Sequence, residues 1–167
     1  MFINRLVLLI LFFSSYAHAE LSIQNWKTPN GSQVYFVENH SLPVVDVNVM
    51  FSAGSVRDSK QTNGVASMTN HLMFSGSAGM SEQKLMNSFA DIGAQIGSNF
   101  NRDQSSFSLR TLSEEKSEAI ELFKVVLQKP NFDKEILDRE AKRYVANIAQ
   151  AETMPEAIAT KRFMKSI

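Results

Sequence analysis

The chain contains no cysteine, which excludes disulfides, iron–sulfur clusters and thiolate zinc sites together. Histidine is scarce as well, with three in the whole sequence, so an imidazole-rich metal site has little to draw on. Net charge is absent, since 17 basic residues balance 17 acidic ones, and nothing electrostatic argues for a nucleic-acid partner. Gly76-Ser77-Ala78-Gly79 lacks the lysine and the spacing of a phosphate loop. There is no internal repeat and no low-complexity segment. No apolar run approaches the ~20 residues that a membrane-spanning helix needs.

What remains is ordinary globular composition. The chain has 167 residues, 44% of them hydrophobic, enough for one domain with a real core. Its most apolar run, Leu6–Phe13, follows Arg5 and precedes Ala17-His18-Ala19. That order of positive, apolar and small-x-small segments predicts a signal peptide over residues 1–19, cut after Ala19. The competing reading is an uncleaved N-terminal anchor. Cleavage implies a periplasmic or secreted protein that starts at Glu20 and has no membrane span. It also removes His18, so a metal site must combine His40 and His71 with carboxylates.

Strands are expected first. Ile23–Lys27 and Gln33–Glu38 flank a Pro29-Asn30-Gly31 turn, and Asn39-His40-Ser41 forms a polar turn with His40 solvated. Val45, Val47, Val49 and Phe51 alternate with Asp46, Asn48 and Met50, the period of a half-buried strand. Helical spacing follows over Val65–Phe74 and again over Ser81–Ile92, with Ser81 as N-cap and Gly93 as stop. Two further strands carry Ala94–Phe100 and Phe107 with Leu109. Ser113 is then expected to cap a helix that ends at Pro130. A longer helix over about Asp133–Glu152 should bury Leu137, Ala141, Tyr144 and Ile148, and a last one starts near Pro155. The order βββααββααα predicts an α+β domain: a layered antiparallel-type sheet with helices packed on one face.

The stretch Asn63–Gly79, NGVASMTNHLMFSGSAG, holds the one histidine with helical surroundings. Together with the order of elements, it resembles the N-terminal domain of the insulinase/pitrilysin family, zinc peptidases with an inverted H-x-x-E-H motif. The family pattern runs roughly NGLAHLLEHMLFKGT, and Asn63, Gly64, Ala66, His71, Phe74 and Gly76 match it. Ala53-Gly54-Ser55 resembles the end of the family's preceding strand, Gly93–Leu109 its strand pair, and Pro130-Asn131-Phe132 the segment before its later helix. The resemblance covers essentially all of the chain after residue 19. It implies an N-terminal peptidase-like domain over 20–167, truncated and incomplete at the C-terminus relative to the family, whose missing strands would leave an unpaired sheet edge.

In such a motif two histidines four residues apart share one zinc, and the glutamate between them is the general base. By resemblance, the first histidine position here is Ser67, the general-base position is Asn70, and only His71 matches. The later glutamate ligand falls at Asn147, and Glu140 matches a supporting acid. A slip of register would make Glu140 or Glu152 the relevant acid. Serine is a weak ligand, and an amide has no useful basicity. The expectation is therefore no catalytic residue and no zinc. What the resemblance implies instead is a non-catalytic homologue acting as partner or peptide-binding subunit of an active peptidase subunit or second domain. The alternatives are an active zinc metalloendopeptidase with altered ligands, or one completed by another subunit, and a truncated remnant without function. Beside the motif, His71 reads as a hydrogen-bonded helix histidine, and Met68, Met73, Met80 and Met86 as packing. The charges of KSEAIELFK and DKEILDREAKR read as solvated helix faces.

Overall fold

The computed structural model describes residues 22–166. The expected signal peptide, 1–19, and its cut after Ala19 lie outside the described residues. The first two strands, β1 (Ile23–Lys27) and β2 (Gln33–Val37), pair antiparallel with Ile23 opposite Val37 and Lys27 opposite Gln33. Gly31, at φ +85°, makes the turn, and its N–H donates to the Thr28 carbonyl at 2.9 Å. This hairpin and the loop after it, to Leu42, belong to the first of two compact units, and the second begins at Pro43.

The second unit is built on a three-stranded antiparallel sheet. Its strands are β3 (Val44–Phe51), β6 (Gln95–Phe100) and β7 (Ser105–Leu112), in the order β3-β7-β6. Alternation along β3 and β7 has the expected consequence, because side chains two apart share a face. Val47 lies opposite Leu109, and Val49 opposite Phe107, on the side that packs against helices. Asp46, Asn48, Ser108 and Arg110 occupy the other side and meet solvent. Arg110 there forks onto Asp46 at 2.7 and 2.8 Å.

Three helices cover the apolar side: α1 (Val65–Leu72), α2 (Glu82–Asp91) and α3 (Lys116–Gln128). Leu85 and Phe89 of α2 and Ala119, Phe123 and Val126 of α3 join Phe107, Leu109, Met73 and Ala94 in one buried cluster. Helix α2 has the ends its sequence promises. The Ser81 hydroxyl accepts from the Lys84 N–H. At the other end Gly93 sits at φ +63°, with Gly93 N–H bonded to Ala90 O and Ala94 N–H to Phe89 O, each at 2.9 Å. That is a Schellman close, which glycine adopts without strain.

Four local expectations are corrected. A short ladder, β4 (Gly76–Ser77) with β5 (Met80–Ser81), intervenes between α1 and α2. Ala78 and Gly79 turn it at positive φ, and the Asn131 amide holds it by bonding Gly79 N–H and Met80 O. Ser113 does not cap α3, because β7 runs on to Leu112 and the Ser113 N–H is spent on Pro43 O at 2.8 Å. The helix starts three residues later, with Glu118 as the acid in its first turn. Helix α4 (Lys134–Ala151) also turns a different face inward. Glu140 is buried there, with Ile136, Ala141 and Tyr144 half-buried, while Leu137 and Ile148 are exposed. The charged segment around Glu140 is thus no purely solvated face. The last helix, α5 (Pro155–Ser166), begins at Pro155 as expected.

Candidate functional site

Helix α1 is set in place at its N-terminal end. Gly64 starts it at φ +95°. The Asp58 carboxylate accepts from the N–H groups of Gly64 at 2.9 Å and Ala66 at 3.2 Å, and a negative charge there suits the helix N-terminus. Upstream, Gly54 packs directly on the backbone of Arg102 and Asp103, with no room for a Cβ. The Ala53-Gly54-Ser55 segment thereby fixes the loop that delivers Asp58 to α1.

From this helix the two central motif positions diverge. Asn70 points inward and is buried. Its amide donates to Ser105 Oγ at 2.7 Å and to the Asn99 carbonyl at 3.3 Å. Asn70 therefore ties α1 to the ends of β6 and β7. Its carboxamide cannot take up a proton near neutral pH.

His71, one residue on, faces α4. Its Nε2 lies 3.1 Å from Glu140 Oε2, and its ring stacks obliquely on Tyr144 with centroids 5.7 Å apart. Glu140 is only 4% exposed, and a buried carboxylate must be paired to remain charged. Arg139 Nε donates to Oε1 at 3.0 Å, and the Arg143 guanidinium forms an ion pair with Oε2 at 2.9 Å. Arg139 also approaches Glu82 of α2 at 3.8 Å. The Arg139 bond, with those of His71 and the charge of Arg143, holds the Glu140 carboxyl below its ordinary value of 4.5 against the opposing effect of burial. Glu140 is consequently held as a hydrogen-bond acceptor, and His71 Nε2 is at hydrogen-bonding distance from it.

These residues fit zinc poorly. A catalytic zinc site takes three protein ligands and keeps a fourth position open. Here one imidazole nitrogen faces one carboxylate. The Arg143 guanidinium stands 2.9 Å from the carboxylate oxygen and 3.5 Å from His71 Nε2. Ser67, on the same face of α1 as His71, offers a hydroxyl. Among the described residues no group of three or more His, Asp or Glu is placed to hold a metal ion.

The structure brings together His71 and Glu140 of the residues singled out by sequence, and leaves others apart. Asn147 is exposed on α4 and, among the described residues, makes no side-chain hydrogen bond. Glu152 pairs with Lys161 at 2.9 Å. His40 belongs to the first unit, is exposed, and meets Glu38 at 3.0 Å. The sequence reading missed Arg139, Arg143, Asn99 and Ser105. Arg143 left a faint signal, since three residues after a glutamate on a helix is the spacing of an ion pair.

Fold and site together define a class: a domain with helices on one side of an antiparallel sheet, in which His71 of α1 is joined to a buried glutamate of α4. The family model for insulinase, peptidase family M16, matches residues 33–167, and the chain belongs to that family. A probable mitochondrial-processing peptidase subunit beta from Arabidopsis thaliana is 25% identical over 78% of this chain and 24% of its own length. The uncharacterized zinc protease YmxG of Bacillus subtilis is 22% identical over 81% of this chain and 33% of its own. Cytochrome b-c1 complex subunit 1 of Bos taurus is 24% identical over 84% and 30%. The chain thus spans a quarter to a third of the length of these relatives. Among solved structures, the peptidase M16 inactive domain from Pseudomonas fluorescens superposes with a TM-score of 0.83 at 33% identity, over 87% of this chain and 35% of that one.

Proposed function

We propose that this chain is an exported, non-catalytic member of the family that serves as a partner or peptide-binding subunit of an active peptidase. One observation carries the reading: Asn70, which the resemblance aligns with the general-base position, is a buried amide whose donors are spent on Ser105 and Asn99. Hydrolysis at a metal centre needs a group there that accepts a proton from water. The substitution at Ser67 and the pairing of His71 with Glu140 support the same reading.

Two kinds of likeness support a partner. The Pseudomonas fluorescens domain with the similar fold is described as inactive. Two of the similar proteins are by name subunits, of mitochondrial-processing peptidase and of the cytochrome b-c1 complex. Export rests on the charged, apolar and small-residue pattern of residues 1–19, and places the protein in the periplasm or outside the cell. Affinity-tagged protein recovered from a periplasmic extract is expected to begin at Glu20 and to bring with it a family member with an intact H-x-x-E-H motif. Recovery without any metallopeptidase would overturn the partner role. Peptide hydrolysis by the purified chain that vanishes in His71→Ala would overturn the non-catalytic reading.

A further inference from the structure

The poor fit to a metal has two separable causes in this chain. One is the hydroxyl at Ser67 where a second imidazole would serve. The other is Arg143. A divalent ion bridging His71 and Glu140 would have to bond Nε2 and Oε2, which lie 3.1 Å apart. The same two atoms are already approached by one nitrogen of Arg143, at 3.5 and 2.9 Å. A guanidinium is charged at any accessible pH, so it offers Glu140 a permanent positive partner and repels a second cation entering beside it.

The neighbourhood reinforces this. Arg139 holds the other oxygen of Glu140 at 3.0 Å, so neither carboxylate oxygen is left unpartnered. The charges facing the cluster are Arg139, Glu140 and Arg143 of α4 and, through Arg139, Glu82 of α2, with the titratable His71 of α1 beside them. Cation and carboxylate are thus balanced by the chain itself, and α4 is fastened to α1 through the two groups a metal would otherwise join.

We propose that Arg143 is the resident cation of this site, closing it to divalent metal independently of the ligand missing at Ser67. Ser67→His adds an imidazole four residues before His71, on the same helical face, and would complete a two-histidine, one-glutamate set with Glu140. With Arg143 in place that set still faces a fixed positive charge. Removing the charge should open it.

The test is cobalt(II) titration of the full-length protein, read by the visible d–d bands of tetrahedral cobalt. Wild type and Ser67→His should show weak binding or none, and Ser67→His with Arg143→Ala should bind about tenfold tighter or more. Circular dichroism verifies folding. If the alanine variant does not fold, Arg143→Gln keeps a donor toward Glu140 without the charge. Cobalt binding by Ser67→His as tight as by the double variant would overturn the proposal, as would a folded double variant that binds no cobalt. The proposal deepens the non-catalytic reading and rests on it. Wild type binding one cobalt per chain, or tight binding by Ser67→His alone, removes the role of Arg143, whereas peptide hydrolysis lost in His71→Ala removes the non-catalytic reading.

Discussion

At the scale of single residues, Asn70 is held by structure on every side that chemistry would need. Its amide donors satisfy Ser105 Oγ and the Asn99 carbonyl, and an unsatisfied buried acceptor is costly. Asn70→Ala should therefore lower stability by about 1–3 kcal/mol in urea unfolding. Asn70→Glu should fare no better. It would set a carboxylate against the Asn99 carbonyl, two acceptors with no donor between them. Lower stability and no gain of peptidase activity are the expected results, and a faster hydrolysis rate would refute the structural role. Much of this was legible in the sequence: the identity of Ser67 and Asn70 follows from aligning Asn63–Ser77 with one short pattern. What Asn70 does instead was not, because Ser105 lies 35 residues away and only the fold brings it near. Arg143 was hidden for a related reason. A charged residue on a charged helix reads as solvated until a neighbouring glutamate proves to be buried.

At the scale of elements, a charged clasp joins α1 and α4. Glu140→Gln removes the negative member and leaves two arginines without their partner, at a cost of about 1–3 kcal/mol near neutral pH. The pH dependence has a definite sign. The native carboxyl is held below 4.5, so folding releases a proton and the contribution is complete above that value. It fades as pH falls through the depressed native value. Melting curves of wild type and Glu140→Gln should therefore converge in acid, and a difference that persists or grows in acid would contradict the clasp. The inward face of α4 was misread from apolar periodicity because an ionised residue holds the central inward position. By contrast, the ends of α2 were readable from Ser81 and Gly93, where local chemistry decides the backbone. Gly54 belongs to this scale as well. A methyl group there would collide with the backbone of Arg102, so Gly54→Ala must push apart the loop before α1 and the β6–β7 turn. Destabilisation and faster amide exchange at Gly64 and Ala66, whose N–H groups Asp58 holds, are the expected signs.

At the scale of the whole molecule, scaffold and site are energetically distinct. Leu85, Phe89, Phe123 and Val126 are almost fully buried between helices and sheet, and this cluster would fold the second unit around any residues at the motif. Phe123→Ala should cost about 3–5 kcal/mol, more than any substitution at Ser67, Asn70 or His71. That ordering explains how a family can keep its fold while the motif changes, and a ranking in which His71→Ala exceeds Phe123→Ala would argue against it. The sheet with helices on one face was legible because alternation in β3 and β7 fixes which side is apolar. The β1–β2 hairpin was legible too, from the turn at Pro29-Asn30-Gly31, whereas the pairing of β3 with β7 was not, since it depends on contacts distant in sequence. The central claim is that this insulinase-family domain keeps the frame of a metal site while its own residues hold that site closed. Its most direct test is the zinc content of purified wild-type protein after incubation with excess zinc and desalting. The expected result is far less than one zinc per chain, unchanged in His71→Ala. One zinc per chain, lost in His71→Ala, would contradict it.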